Sequence, residues 1–304
     1  MEIKNWAILI TLFLPMLLFS QKRDKKLETK IGDILSGFHG EVGIYVENLR
    51  TSKIAEQEQD TLFPTASMIK VSILIGVMEK IEKGELEYHG VQIYNDSLLY
   101  EGVDILGSFK TGEKIELSKL LMLMMSMSDN TASLWLQSLA GGGLRVNQLL
   151  DSLGFSQTRV NSRTAGRENN RNVYGWGQTT PREMAGLFEK IYKGEVISKK
   201  ASERMLRLMG RDYWDETGIS QVPPFVYVAC KNGAVDASRS ETMLVMAPHG
   251  PYICSIITKN QQDTSWNADN EGWVLSRKIS RLLWNYFEPG SSWQPSMSVE
   301  GKLN

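Results

Sequence analysis

Apolar residues near both ends of the chain recur at every second position, which is typical of strands. Glu41 to Leu49 alternates in this way, and a turn at residues 50–53 leads into a second short run, so a hairpin is predicted here. Later alternating or apolar runs predict three further strands, at residues 225–230, 241–247 and 252–258.

Between these two groups of strands the apolar residues recur at helical spacing instead. Ile69, Ile73 and Val77 follow one another at fourfold spacing, which predicts a helix with one buried face. Thr180-Pro181-Arg182-Glu183 has the order of an N-cap, a first-turn proline and a capping-box acid. A glycine-containing segment at residues 164–178 lacks periodicity and is predicted to be a long loop.

The order of these elements predicts an α+β fold. We expect an antiparallel five-stranded sheet, flanked by helices, whose strands come from residues 21–61 and 213–287. Residues 62–212 would form an all-helical lobe inserted between them. An amphipathic helix is predicted up to Phe287, and the tail at residues 288–304 is expected to be loose.

The first residues form a separate segment. An apolar run of 14 residues, from Trp6 to Phe19, follows Lys4 and is short for a bilayer span. This length favours a signal peptide at residues 1–20, cleaved near Ser20, and therefore an exported protein, periplasmic or secreted. The alternative is an uncleaved anchor, because basic residues follow the run. After processing we expect no stable membrane span.

Charge and composition narrow the possible partners. The formal net charge is −1 and the basic residues are spread out, so neither nucleic acid nor an acidic membrane is an expected partner. The three histidines are isolated and the two cysteines, Cys230 and Cys254, lack the spacing of metal ligands. We therefore expect no metal site. The protein is also expected to use no cofactor and to be a monomer.

Three short motifs carry the candidate chemistry. Ser67-Met-Ile-Lys70 places a hydroxyl and an amine three residues apart at the start of a helix, hence on one face. A serine there can act as a nucleophile if the amine takes its proton. Ser128-Asp-Asn130 adds a hydroxyl that can relay a proton, and an amide that can hold a lysine or a substrate amide. Lys231-Asn-Gly233 adds a second amine.

Each motif alone is weak, but all three in this order resemble the penicillin-recognising serine enzymes, specifically class A β-lactamases. The likeness covers about residues 28 to 287. It implies that Ser67 is the nucleophile, Lys70 a base and Ser128 the proton relay, with a small-molecule β-lactam or an acyl-D-amino-acid-like compound as substrate. The implied substrate-binding groups are Asn130, Lys231, Asn232, the backbone N–H groups of Ser67 and Ala234 as oxyanion hole, and Arg239 as a second cation for the substrate carboxylate.

The sequence departs from the family pattern at two places. Asn232 stands where the family usually has a threonine. The family's water-activating glutamate matches Glu168 when it is aligned through Asn172, but counting forward from Thr158 puts that position near Thr164 and Ala165.

The predicted function depends on whether Glu168 activates water. With Glu168 as base, the chain is a serine β-lactamase that opens β-lactam amides through an acyl-serine intermediate. Without it, a penicillin-binding protein or a related serine amidase, esterase or peptidase with slow turnover is expected. An inactive binding module is a further alternative, and the intact Ser67, Lys70 and Ser128 argue against it.

The family architecture also implies the state of the cysteines. Cys230 and Cys254 fall on strands that the strand at residues 241–247 would separate. Two strand spacings are about 9–10 Å, whereas a disulfide needs Cα atoms within about 7 Å. We therefore expect two free, buried thiols.

Overall fold

The computed structural model describes residues 22–100, 102, 104–210 and 212–295. The proposed signal segment at residues 1–20 lies outside this part of the chain. The strands of the described part are β1 (Lys22–Arg23), β2 (Glu41–Asn48), β3 (Lys53–Gln57), β4 (Phe63–Pro64), β5 (Val91–Ile93), β6 (Lys114–Glu116), β7 (Arg159–Val160), β8 (Gly177–Thr179), β9 (Val228–Val235), β10 (Ser238–Val245) and β11 (Tyr252–Lys259).

The α-helices of the described part are α1 (Lys25–Leu35), α2 (Lys70–Glu82), α3 (Leu117–Met122), α4 (Asn130–Leu139), α5 (Gly142–Ser152), α6 (Glu168–Tyr174), α7 (Pro181–Lys193), α8 (Lys199–Met209) and α9 (Glu271–Phe287). Short 3₁₀ turns lie at Ala66–Ile69, Asp96–Leu98, Leu106–Ser108 and Gly218–Gln221, and a π-helical turn at Leu123–Met127. None of the described helices has the length and apolarity that crossing a bilayer requires.

The main sheet has the strand order β1-β3-β2-β11-β10-β9. Five of these neighbours, β3, β2, β11, β10 and β9, pair antiparallel, as the sequence predicted. The sixth, β1, has two residues and pairs parallel with β3, so the prediction of five strands misses one edge strand. A two-residue strand leaves no alternation to detect, which is why the sequence did not indicate it.

Each face of the main sheet covers its own apolar core. On one face, α1 and α9 pack over residues such as Ile44, Met243 and Cys254. On the other face, side chains such as Leu244 and Ile257 join the larger core, which is built with α2, α4, α7 and α8. Helices therefore flank the sheet on both sides, and the larger core connects it to the helical segment.

The inserted segment is not all-helical. Two small sheets lie within it, one of order β4-β8-β7 and one formed by β5 and β6. The segment predicted as a loop at residues 164–178 also contains α6 and the start of β8. These elements are too short for a periodic pattern, and β8 forms because it pairs with β4, which is remote in sequence.

The start of α7 follows its predicted signature in part. The Thr180 side chain accepts the Glu183 N–H, and Pro181 is the first helical residue. The Glu183 carboxylate does not reach back to Thr180; it accepts N–H groups of residues 156–158 instead. The carboxylate thus connects the first turn of α7 to residues 156–158.

The first part of the C-terminal tail is packed rather than loose. Glu288 is 4% exposed and accepts the backbone N–H of His249 at 2.7 Å. The ring of Trp293 lies edge-on against Trp284 of α9, with 6.4 Å between ring centroids. The prediction of a loose tail is therefore wrong up to residue 295, and residues 296–304 lie outside the described part.

Candidate active site

Ser67 and Lys70 lie where the 3₁₀ turn Ala66–Ile69 continues into α2. The Lys70 amine is 3.1 Å from Ser67 Oγ. Lys70 is fully buried, whereas Ser67 is half-buried. The spacing of three residues along one helical path puts both side chains on one face, as predicted.

The second motif reaches the same amine from another element. The π-helical turn Leu123–Met127 ends at Ser128, whose φ of 58° is left-handed. This conformation directs the motif inward: the Lys70 amine lies 3.0 Å from Ser128 Oγ and 2.7 Å from Asn130 Oδ1, and it also bonds the Ser128 carbonyl. Together with Ser67 Oγ, four oxygens therefore bond the Lys70 amine. Two of them, Ser67 Oγ and Ser128 Oγ, belong to hydroxyls, which can donate to a neutral amine as well as accept from a charged one.

The environment of Lys70 favours the neutral amine. Burial lowers the pKa of Lys70 well below its ordinary value, because a buried ammonium loses its hydration, and the nearby charge of Lys231 lowers it further. Asp104 and Asp129 act in the opposite direction and raise the pKa of Lys70. A lysine with a lowered pKa can take a proton from a serine hydroxyl.

Two carboxylates hold the second motif in place. Asp129 caps α4 by accepting the Ala132 N–H at 2.7 Å, and it also accepts the Leu106 N–H at 3.1 Å. Asp104 accepts the N–H groups of Asn130 and Thr131 at 3.0 and 2.8 Å. Asp104 was not predicted to be part of the site, because no local pattern in the sequence connects it to a helix that begins 26 residues later.

The third motif lies on β9, directly beside Ser67. A Cβ added to Gly233 would lie 2.7 Å from the Ser67 nitrogen and 2.6 Å from the Thr65 carbonyl oxygen, so only glycine allows this approach. Lys231 is fully buried within the strand, and Ala234 follows the contact directly and is half-buried. The predicted strand at residues 225–230 placed Lys231 at a strand end. In the structure, β9 begins later, at Val228, and continues through Lys231 to Val235.

The model of the β-lactamase enzyme family matches residues 26–287. The chain belongs to the β-lactamase enzyme family. β-Lactamase VEB-1 of Pseudomonas aeruginosa is 24% identical over 292 residues, which cover 92% of this chain and 96% of that protein.

Solved structures of similar fold include both lactamases and a penicillin-binding protein. PBP-A superposes with a TM-score of 0.79 at 23% identity, covering 88% of this chain and 98% of that one. A mutant of PBP-A, solved as its acyl-enzyme complex with penicillin G, matches equally well. A class A β-lactamase from Bacteroides cellulosilyticus has a TM-score of 0.76 at 21% identity, covering 89% and 100% of the two chains. The fold is thus that of a class A β-lactamase-like serine hydrolase.

In this β-lactamase family member, Asn232 is bonded within the protein. Its Nδ2 donates to the Trp214 carbonyl at 3.0 Å, and its Oδ1 accepts from the Lys231 amine at 3.1 Å. The Trp214 indole N–H in turn donates to the Met127 carbonyl at 3.0 Å. Trp214 therefore links the second motif to the third. This role was not predicted, because no characteristic sequence pattern surrounds the tryptophan.

Arg239 does not lie at the site. Its guanidinium donates to the carbonyls of residues 235, 236, 238 and 265, and it packs over the rings of Trp266 and Trp273. Ser240 and Thr242, which are two residues apart in β10, face the Ser67 turn. Because side chains alternate along a strand, Arg239 points to the opposite face, and the prediction that it is the second cation of the site is wrong.

The structure does not bring Glu168 to the Lys70 amine. Glu168 begins α6, is exposed, and accepts the Gly166 N–H of its own loop at 3.1 Å. Counting forward from Thr158 places the family's glutamate near Thr164 instead. The Thr164 hydroxyl donates to the Ser162 carbonyl at 2.9 Å, so this residue does not bond the Lys70 amine either. None of the four oxygens that bond the Lys70 amine belongs to a carboxylate.

Both cysteines are buried and free. Met243 of β10 is the register partner of Cys230 on one side and of Cys254 on the other, so one strand separates them. Burial raises the pKa of both thiols, because a thiolate would lose its hydration. This is the arrangement expected from the family architecture.

Proposed function

We propose that this chain opens β-lactam amides by acylating Ser67 and that it releases the acyl group slowly. The observation that carries the proposal is the Lys70 amine, which bonds the hydroxyls of both Ser67 and Ser128 in a buried position. The Lys70 amine can therefore take the proton from the Ser67 hydroxyl and later pass a proton to Ser128.

Acylation begins when the neutral Lys70 amine takes the Ser67 proton and the serine oxygen attacks the lactam carbonyl carbon. The carbonyl oxygen becomes negatively charged, and the backbone N–H groups of Ser67 and Ala234 are the proposed donors to it. β9 passes next to Ser67 at Gly233, which supports a role for the following N–H group.

The ring then opens as the carbon–nitrogen bond breaks. Ser128 gives its hydroxyl proton to the leaving nitrogen and regains one from the Lys70 ammonium, so the amine is neutral again at the end of the step. Asn130 keeps the Lys70 amine in place during both transfers, because its Oδ1 lies 2.7 Å from the amine. The step needs no metal or cofactor to balance.

Hydrolysis of the acyl-serine needs a second base that activates water. The Glu168 carboxylate is exposed and is bonded to its own loop, which supports slow release. The chain would then behave as a penicillin-binding enzyme with little turnover.

The test is intact-mass spectrometry during incubation with penicillin G. We expect one adduct of the mass of the whole penicillin, located on Ser67 by peptide mapping and lasting minutes or longer. Ser67→Ala, checked for folding by its melting curve, is the matched control and should give none. A folded wild-type protein without an adduct would eliminate the proposal.

A second function, multiple-turnover β-lactam hydrolysis, is favoured by the relatives, which include the lactamase VEB-1. It predicts the same adduct with a lifetime of milliseconds and rapid loss of a chromogenic cephalosporin. Hydrolysis of an acyl-D-amino-acid ester that Ser67→Ala abolishes, without any β-lactam adduct, would instead indicate a serine esterase or peptidase.

We also propose that the protein is exported after cleavage near Ser20 and acts as a monomer. The apolar run at residues 6–19, too short to span a bilayer comfortably, supports the proposed export. N-terminal sequencing of protein recovered from outside the cytoplasm should begin near residue 21. A mature protein that retains residues 1–20 would contradict the proposal.

A further inference from the structure

Two aromatic side chains lie exposed beside the second and third motifs. Tyr213 is 62% exposed and Trp214 is 52% exposed, although tryptophan is on average a highly buried residue type. The two rings meet edge to face, with 5.2 Å between their centroids, so they form one continuous apolar surface. A contiguous exposed apolar surface next to reactive groups is typical of a binding site.

Hydrogen bonds to three separate residues hold Trp214 in place. Its backbone N–H donates to Asp212 Oδ1 at 3.0 Å, and its carbonyl accepts from Asn232 Nδ2 at 3.0 Å. Its indole N–H donates to the Met127 carbonyl at 3.0 Å, so the side chain is fixed as well as the backbone. A ring that is already fixed loses little conformational entropy when a ligand covers it.

The bonds of these two residues show on which side of the site the rings lie. Trp214 bonds the residue that directly precedes Ser128 and the residue that directly follows Lys231. Tyr213 lies at the same edge, because its backbone N–H donates to the Ser126 carbonyl at 3.0 Å. In the proposed mechanism Ser128 gives its proton to the leaving nitrogen. The rings therefore border the leaving-group side of the scissile bond.

We propose that the rings of Tyr213 and Trp214 bind an aromatic substituent on the leaving group of the acyl donor. The inference rests on the proposed acylation of Ser67 and names the substrate class of that site, which is acyl donors whose leaving group carries such a substituent. Covering the exposed rings removes apolar surface from water, and an aromatic partner adds the favourable contact between two rings. An aromatic contact of this kind is worth about tenfold in the second-order rate of acylation.

The test compares two cephalosporins that share one acyl side chain and differ at ring position 3, where one carries a styryl group and the other a methyl group. The second-order rate of β-lactam opening is measured with the protein in excess and divided by the rate of opening by hydroxide, which removes the difference in intrinsic reactivity. We expect the corrected rate of the styryl compound to be higher by at least about threefold, and by about tenfold for a full ring contact. A ratio below about threefold overturns the inference. The absence of a Ser67 adduct with either compound indicates instead that the proposed function fails.

Trp214→Leu tests whether the rings cause the preference. The substitution removes the aromatic face, so the corrected ratio should fall to about one, whereas Trp214→Phe keeps a ring without the indole N–H and should retain the preference. Phe225→Leu, a similar change at an aromatic residue that is 78% exposed, should leave the ratio unchanged. A folded Trp214→Leu protein that keeps the wild-type ratio overturns the assignment to these rings. If it does not fold, Tyr213→Leu, which removes the more exposed of the two rings, serves in its place.

Discussion

The carboxylate of Asp104 accepts the backbone N–H of Asn130 at 3.0 Å. Asn130 in turn holds the Lys70 amine through its side chain. The negative charge of Asp104 therefore lies next to the residue that positions Lys70, the proposed general base. This pairing has an electrostatic consequence, because Asp104 raises the pKa of Lys70 while burial and Lys231 lower it.

Replacing Asp104 by asparagine should move the pH dependence of acylation. In the proposed mechanism acylation requires a neutral Lys70, so we expect its rate to rise as pH increases through the pKa of that amine. Without the negative charge at residue 104 the pKa of Lys70 falls further, and the amine stays neutral to lower pH. The acid limb of the acylation rate should therefore shift to lower pH in Asp104→Asn.

The measurement is the second-order rate of adduct formation as a function of pH, from acid to alkaline solution. Asp96→Asn is the control, since Asp96 is an exposed carboxylate on the same segment and is not among the groups that shift Lys70. A limb that stays in place in Asp104→Asn, or moves equally in both variants, contradicts the electrostatic role.

Glu168→Gln should leave the lifetime of the acyl-enzyme nearly unchanged. The Glu168 carboxylate is exposed and bonds the N–H of Gly166, and it does not contact the Lys70 amine. Removing a true general base costs about 10²–10⁴-fold in rate. Decay of the penicillin adduct, followed by intact mass, distinguishes the two cases: a lifetime longer by about a hundredfold would restore Glu168 as the base.

Arg239→Ala should destabilise the protein without discriminating between substrates. The guanidinium holds four backbone carbonyls and packs over two indole rings, so truncation leaves these carbonyls without their donor. We expect a loss of about 2–4 kcal/mol in the free energy of unfolding, measured with urea. Any effect on acylation should be the same for penicillin G and its methyl ester.

Arg163→Ala is the comparison for stability. Arg163 is exposed and makes two long bonds, at 3.2 and 3.4 Å, to carbonyls of residues 97 and 99. Its removal should cost no more than about 0.5 kcal/mol. If Arg239→Ala slowed the reaction of penicillin G but not that of its methyl ester, Arg239 would have to contact the substrate carboxylate.

The two cysteines should be alkylated without a reductant. Cys230 and Cys254 are buried and free, with β10 between them. Iodoacetamide in denaturant should therefore add two labels whether or not the protein has first been reduced. No label before reduction and two afterwards would indicate a disulfide and a different strand order.

The sequence alone was sufficient for the features that depend on neighbours along the chain. Ser67 and Lys70 are three residues apart on one helical path, so their contact follows from local geometry. The Thr180 cap and the alternation in β2, β10 and β11 are local in the same sense. The ordered motifs then indicated the family that the comparison confirms.

The sequence does not determine which side chains of β10 point towards the site. Side chains alternate with a period of two, so an error of one residue in the inferred position reverses the face. Arg239 was expected at the site, but the site-facing residue is its neighbour Ser240. Only the pairing of β10 with β9 and its packing against the Ser67 turn decide between the two.

The remaining features of the site depend on contacts between distant segments. Trp214 meets Met127 across 87 residues, and Asp104 meets Asn130 across 26. Such contacts leave no periodic or motif pattern, because each partner is an ordinary residue in its own segment. The sequence by itself therefore determined the order of the motifs and the Ser67–Lys70 pair. The bond between Asn232 and Trp214, and the absence of Glu168 from the groups that bond the Lys70 amine, were decided by the tertiary structure. The physical reason is that chain packing brings together groups that local spacing does not relate.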